Sequence, residues 1–301
     1  MDRMARSGQM SPSARRGWLA VVMLAILLAS AAGAGWLEIA AARRVRAAGE
    51  ILADVRRQGL ATFWSDQGQV HWRLIHAADA PVGWEATIRQ VTDDGRFAGL
   101  RAIVVPGVRT ILGRWTLNAD ATAGQYAGSA VSAKGERTDT ASQLADGHVA
   151  VTQHHLGLTA RSPAPDNYLP EGMMDLVVRR VAQTRADAQF ASVFDERPNT
   201  AGYVEFGTVR VRYRGRADVE GTAVDVVEVS GVFGRTRYRV RYELPADGQP
   251  TILYDDGRRC VPAEPDAVEA AFPDASETLM RMMRQDRTVR ERLIELLRRR
   301  F

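Results

Sequence analysis

Five histidines and a single cysteine, Cys260, are the residues of this 301-residue chain with the strongest claim to chemistry. His154 and His155 are adjacent on an expected strand. Their side chains would point to opposite faces and could not share one metal. His148 and His154 have the same parity but lie ~20 Å apart along a strand. His71 and His76 have opposite parity. A zinc site needs three or four ligands within about 2.3 Å of the ion, and no cysteine or carboxylate stands at a suitable spacing. No metal and no cofactor are therefore expected. Cys260 follows Arg258-Arg259, a basic setting of the kind that lowers a thiol pKa. A lone cysteine near a strand end is nevertheless read as inert. There is no G-x-S-x-G elbow and no glycine-rich phosphate loop ending in Lys-Ser/Thr. The acid pairs Asp93-Asp94 and Asp255-Asp256 sit beside glycines and read as turn chemistry. No catalytic residue is assigned. An unrecognised hydrolase, carried by His154 or Cys260, is the enzymatic alternative.

The elements that would position a site begin with an apolar run. Gly17 to Leu37 holds 21 residues without a charge, behind Arg3, Arg6, Arg15 and Arg16. At about 1.5 Å per residue, such a helix spans the roughly 30 Å hydrocarbon core, and Trp18 and Trp36 suit its two interfaces. The expectation is a signal anchor over 17–37, with 1–16 as a cytoplasmic basic tail. The protein would then be a single-pass inner-membrane protein with its C-terminal domain in the periplasm. The rival is a cleaved signal peptide: Leu19 to Leu28 is the apolar stretch, and Ala29-Ser30-Ala31 or Ala32-Gly33-Ala34 supplies the small residues. Arg15-Arg16-Gly17-Trp18-Leu19 also resembles a twin-arginine export signal.

Composition adds bounds. An apolar content of 46% is ample for a core, and one cysteine excludes an intramolecular disulfide. The net charge is +4. Ser276 to Phe301 carries eight arginines and four acids, so the rest of the chain balances to zero. That distribution argues against a nucleic-acid partner for the main domain.

The fold class expected is α+β. Residues 38–63 form a helix, with Val45, Ala48, Ile51, Leu52 and Val55 at helical spacing. It is either a stalk continuing the membrane helix or a helix packed on the domain. Residues 69–256 form an antiparallel β domain, because the period changes to two from Gln69. Strands are predicted at Val70–His76, Gly83–Thr92, Phe97–Val105, Arg109–Leu117, Gln125–Ala133 and His148–His155. Asp94-Gly95, Lys134-Gly135 and Asp146-Gly147 are turn signals between runs. Short connections imply a meander. A helix at 170–185 starts at Pro170, and its stripe of Met173, Leu176, Val177, Val178 and Val181 plugs one face of a curved sheet. Further strands follow at Gln189–Phe194, Gly202–Tyr213, Ala223–Val229, Thr236–Leu244 and Thr251–Tyr254. Val209 to Tyr213 and Tyr238 to Tyr242 alternate apolar or aromatic residues with arginine, the pattern of a sheet wet on one face. The C-terminal segment 264–301 is helical, with Asp274 and Glu277 resembling a capping box. Leu279, Met282, Val289, Leu293 and Leu296 approach heptad spacing. That helix is laid on the domain, pairs with itself or a partner, or meets a membrane surface through Arg298-Arg299-Arg300.

This order of elements resembles the lipoprotein-carrier half-barrels of bacterial envelopes, the LolA/LppX-like group. The likeness is carried by Ala80-Pro81-Val82-Gly83-Trp84, by Asn167-Tyr168-Leu169-Pro170-Glu171-Gly172, and by Tyr238 to Asp256. It implies a half-barrel sheet curled round helices, with a lipid or acyl chain in the concavity. The stalk and C-terminal helices depart from that group, and an anchored protein does not shuttle.

Function is therefore expected to be that of a binding module. Its curved sheet would hold an apolar ligand or a protein segment, with Trp72, Trp84, Val178 and Phe206 lining the cavity. The alternative is a structural or assembly component of an envelope complex. It would meet an envelope partner, or itself, through 276–301.

Overall fold

The computed structural model describes residues 12–63, 68–153, 157–193, 202–234 and 236–284, without the side chains of 12–22, 24–29, 31–33, 63 and 158. His154 and His155, and the heptad-like positions beyond Arg284, lie outside the described residues. Residues 1–44 and 45–301 form two separate units.

Helix α1 (Pro12–Gln58) begins in the first unit and ends in the second. Alanine-rich sequence and the absence of proline after its first residue favour an unbroken helix. It stops at Gly59, whose φ of 77° suits glycine and whose N–H donates to the Val55 carbonyl at 2.8 Å. Among the described residues no helix is long and apolar enough to cross a membrane. The expected single-pass inner-membrane anchor over 17–37, with its periplasmic domain, is therefore corrected. Trp36, Leu37 and Ile39 are exposed beside Glu38, and Arg43, Arg44 and Arg46 follow within the same helix.

In the second unit the last turns of α1 belong to the domain. Ala48, Ile51, Leu52 and Val55 are buried in the main core, so this part of the expected stalk is a packed helix. Asp54 on α1 forms an ion pair with Arg180 on the central helix.

The β domain is one 14-stranded antiparallel sheet. The first meander comprises β1 (Val70–Ala77), β2 (Ala80–Val91), β3 (Phe97–Val105), β4 (Arg109–Leu117), β5 (Gly124–Ser132), β6 (Arg137–Ala145), β7 (His148–Gln153) and β8 (Leu158–Pro163). The second comprises β9 (Asp187–Ser192), β10 (Gly207–Val219), β11 (Thr222–Phe233), β12 (Thr236–Pro245), β13 (Thr251–Tyr254) and β14 (Arg258–Ala263). Every neighbour in the sheet is consecutive in sequence except one: β1 pairs with β14, from Trp72↔Ala263 to Ala77↔Arg258. The sheet has the strand order of a barrel opened between β8 and β9.

Both open edges are covered, which removes the hazard of unpaired backbone. The β9 edge meets residues 167–169: Leu169 N–H donates to the Ala191 carbonyl, and Ala191 N–H to that of Asn167. The β8 edge meets residues 202–204, through Arg161 N–H to the Gly202 carbonyl and Val204 N–H to Ser162 Oγ at 2.9 Å.

Helix α2 (Met174–Thr184) crosses between the two meanders. It buries Leu176, Val177, Val178, Val181 and Ala182 against Val209, Val211, Val227 and Val229. That face of the sheet, shared with α1, is the inner face. The outer face of β1–β4 carries a second apolar cluster of Trp72, Trp84, Ala86, Leu100, Ala102 and Leu112. It is closed by α3 (Pro265–Ala271) and by the helical residues 275–284, whose Ala275 and Leu279 are buried there.

Candidate functional site

Strand parity decides which residues can form a site. In β2, Trp84, Ala86 and Ile88 belong to the outer cluster, so Glu85, Thr87 and Arg89 face inward. Cross-strand pairing then sets partners. Glu85 lies opposite Arg73 in β1, and Thr87 lies opposite Arg101 in β3. Arg73, Glu85, Thr87 and Arg101 therefore share the inner face with Ile75, Phe97 and Val105.

The inner face is not filled. It encloses an open cavity of about 570 Å³ between the first meander, α2 and the second meander. One wall is apolar or aromatic: Trp115, Val209, Val229, Tyr238, Tyr242 and Ile252. The charged lining is Arg73, Glu85, Arg89, Arg101 and Asp175.

Glu85 is the pivot of the charged wall. Its side chain is 1% exposed and accepts from Arg73 Nη1 at 2.6 Å and from Arg101 Nη2 at 2.7 Å. Burial by itself would raise the Glu85 carboxyl, but Arg101 and Arg73 together hold it below its ordinary value. Asp175, on the first turn of α2, pairs with Arg89. Burial raises its carboxyl too, and Arg89, Arg73 and Arg101 outweigh that and lower it. The two cations beside Glu85 differ in one respect. Arg73 is 4% exposed, whereas Arg101 keeps 41% of its side-chain surface accessible. Arg101 also lines the cavity.

The aromatic wall stays protonated. Burial raises Tyr254 to about 12, and Tyr238, with burial and then Glu171 as causes, also to about 12. Tyr242 is pushed up as well, by burial and then by Asp175. Their hydroxyls remain hydrogen-bond donors at neutral pH.

Glycines let the aromatics lie flat on the sheet. Gly99 is the register partner of Trp115, and a Cβ there would stand 2.2 Å from the indole. On the other side of the same ring, a Cβ on Gly172 would stand 2.3 Å away. Gly172 also has a φ of 87°, which explains why the chain turns at Pro170–Gly172 and starts α2 only at Met174. Gly231 likewise faces its partner Tyr238.

The four residues expected to line a cavity fall into three separate clusters, none on the cavity wall. Trp72 and Trp84 pack on each other on the outer face, with ring centroids 5.4 Å apart. Val178 is buried under α2. Phe206 packs edge-on to Tyr168, 5.8 Å away, in a third cluster near the open edges. Strand parity accounts for the tryptophans: Trp72 and Trp84 both stand on the outer face. Cys260 is fully buried, and its thiol donates weakly to Glu85 Oε2 at 3.9 Å. Burial pushes that thiol up, followed by the Glu85 charge. The basic pair before it therefore does not activate it. Among the described residues no group of three or more His, Cys, Asp or Glu is placed to hold a metal ion.

No protein-family model matches the chain, and no curated protein matches it in sequence. Among solved structures it is similar to a β-barrel-like protein, a domain of unknown function, from Brucella abortus. The identity is 14% and the TM-score 0.45, over 65% of this chain and 96% of that one. The lipoprotein-carrier resemblance thus has no family match behind it, and the part that stands is the barrel-like, curved antiparallel sheet.

Proposed function

We propose that this protein is a binding module whose curved sheet holds an apolar ligand in the cavity between its two meanders. The observation that carries the reading is the cavity itself. Its volume of about 570 Å³ falls within the roughly 300–1,000 Å³ of small-molecule sites, which are mostly apolar with a few placed polar groups. The aromatic wall of Trp115, Tyr238 and Tyr242 supplies rigid apolar surface.

A neutral fluorescent probe, N-phenyl-1-naphthylamine, tests the reading. The protein, stripped of bound lipid, is expected to enhance the probe's emission saturably at one site. Val240 lines the cavity from β12, so Val240→Trp is expected to fill it and weaken probe binding at least tenfold with the fold retained by circular dichroism. Failure of the wild type to bind the probe saturably would sink the reading. So would unchanged binding by a folded Val240→Trp protein.

A further inference from the structure

The charged wall narrows the class of ligand. Nine charged side chains line the cavity: Arg73, Arg89, Arg101, Arg109 and Arg239 against Glu85, Glu171, Asp175 and Asp255. Arg239 also pairs with Glu228, which lies outside the lining, at 3.9 Å. The two deepest carboxylates are already engaged, Glu85 between Arg73 and Arg101, and Asp175 with Arg89. One carboxylate thus serves two guanidiniums at Glu85, and a unit of positive charge is left over. Among the described residues, the Nε atoms of Arg73 and Arg101 are buried without an acceptor. A cationic guest would meet no unengaged carboxylate at this end, and a neutral one would leave the surplus charge unanswered.

We infer that the ligand is an amphiphile with one anionic head, a carboxylate or a phosphate monoester, seated at Arg101, with its apolar body along the wall of Trp115, Val209, Tyr242 and Ile252. The inference rests on the binding-module reading of the same cavity. Arg101 is the anchor because it alone of the pair at Glu85 has accessible surface to offer. Its guanidinium is a rigid fork that matches both head groups. Tyr242 and Tyr254 lie within electrostatic reach of Arg101, and their phenols, protonated at neutral pH, add donors beside the head. The cost of placing an anion in the interior is offset by the cation already standing there.

Displacement of N-phenyl-1-naphthylamine from the full-length, delipidated protein tests it with four competitors: palmitate, hexadecyl phosphate, hexadecanol and methyl palmitate. The charged competitors are expected to bind about tenfold or more tighter than the neutral ones, as a charge-assisted contact requires. Palmitate ahead of hexadecyl phosphate would identify a fatty-acid source, and the reverse order a phosphate-headed one. Arg101→Gln is expected to erase the preference, bringing palmitate and hexadecanol to equal affinity. Arg101→Lys is expected to retain part of it. If Arg101→Gln does not fold, the wild-type comparison decides alone. Equal affinity of the wild type for palmitate and hexadecanol overturns the anionic head and leaves the binding module standing. A preference retained in folded Arg101→Gln overturns the seat at Arg101. Failure of every competitor to displace bound probe overturns the amphiphile. Absence of probe binding itself removes the binding module with it.

Discussion

Glu85→Gln is expected to cost the fold about 3–5 kcal/mol, the loss typical of breaking a buried ion pair from one side. The reason lies in its partners. Arg101 can turn toward the cavity, but Arg73 is only 4% exposed and has little solvent to meet. An uncompensated guanidinium would remain inside the sheet. Urea denaturation measures the effect, and a loss below about 1 kcal/mol would refute this account, since that is what surface pairs contribute. Arg73→Met in the same background is expected to restore more than half of the loss. Acid sensitivity gives a second readout. The Glu85 carboxyl is held below its ordinary 4.5 in the folded protein. A carboxylate depressed on folding stabilises fully above its unfolded pKa, and that contribution fades as pH falls through the folded value. Wild-type stability is therefore expected to drop below about pH 4.5 more steeply than that of Glu85→Gln, which has no such proton to bind.

Trp84→Ala is expected to be as damaging, for a different reason. Trp84 is 2% exposed and packs against Trp72 on the outer face, under α3 and residues 275–284. Truncating a buried tryptophan costs about 3–5 kcal/mol through lost burial and the void left behind. Because this cluster lies across the sheet from the cavity, probe affinity at a temperature where the variant is still folded should not change. Thermal denaturation and probe titration on one preparation separate the two. A stable Trp84→Ala protein that no longer binds the probe would place Trp84 in the site after all.

The strands were legible wherever apolar and polar residues alternate, as in β10 and β12. β6 was not, because its sequence RTDTASQLA reads as polar. Thr140 and Ser142 are buried there all the same, since a sheet covered on both faces tolerates hydroxyls that find partners. β14 was missed because Pro262 sits inside it. That omission hid the seam with β1, and without the seam the chain reads as a single open meander. The site was less legible than the fold. A polar row on a strand is ordinarily the wet face, and nothing in the sequence sets Arg73, Glu85 and Arg101 apart from that assignment. Only the C-terminal helices, which cover the tryptophan face, reverse that assignment. Alternation identifies two faces but does not say which one the rest of the chain will bury. The same default drew Trp72 and Trp84 into the expected cavity.

The pairing of β1 with β14 also sets an order of assembly. Apart from that seam, every strand pairs with its neighbour in sequence, so each meander forms from local pairings at little entropic cost. The β1–β14 ladder must instead join the two ends of the sheet's sequence, Trp72 to Ala263 at one limit and Ala77 to Arg258 at the other. Non-local pairing of this kind is slow to form. The seam is then the last ladder to form from the unfolded chain. In pulse-labelling hydrogen exchange during refolding, amides of β3–β5 and β10–β12 should gain protection before those of β1 and β14. Simultaneous protection would mean that the two meanders are not separate folding units. Since the cavity lies between the meanders and Arg73 stands on β1 itself, the cavity comes into being only when this seam shuts.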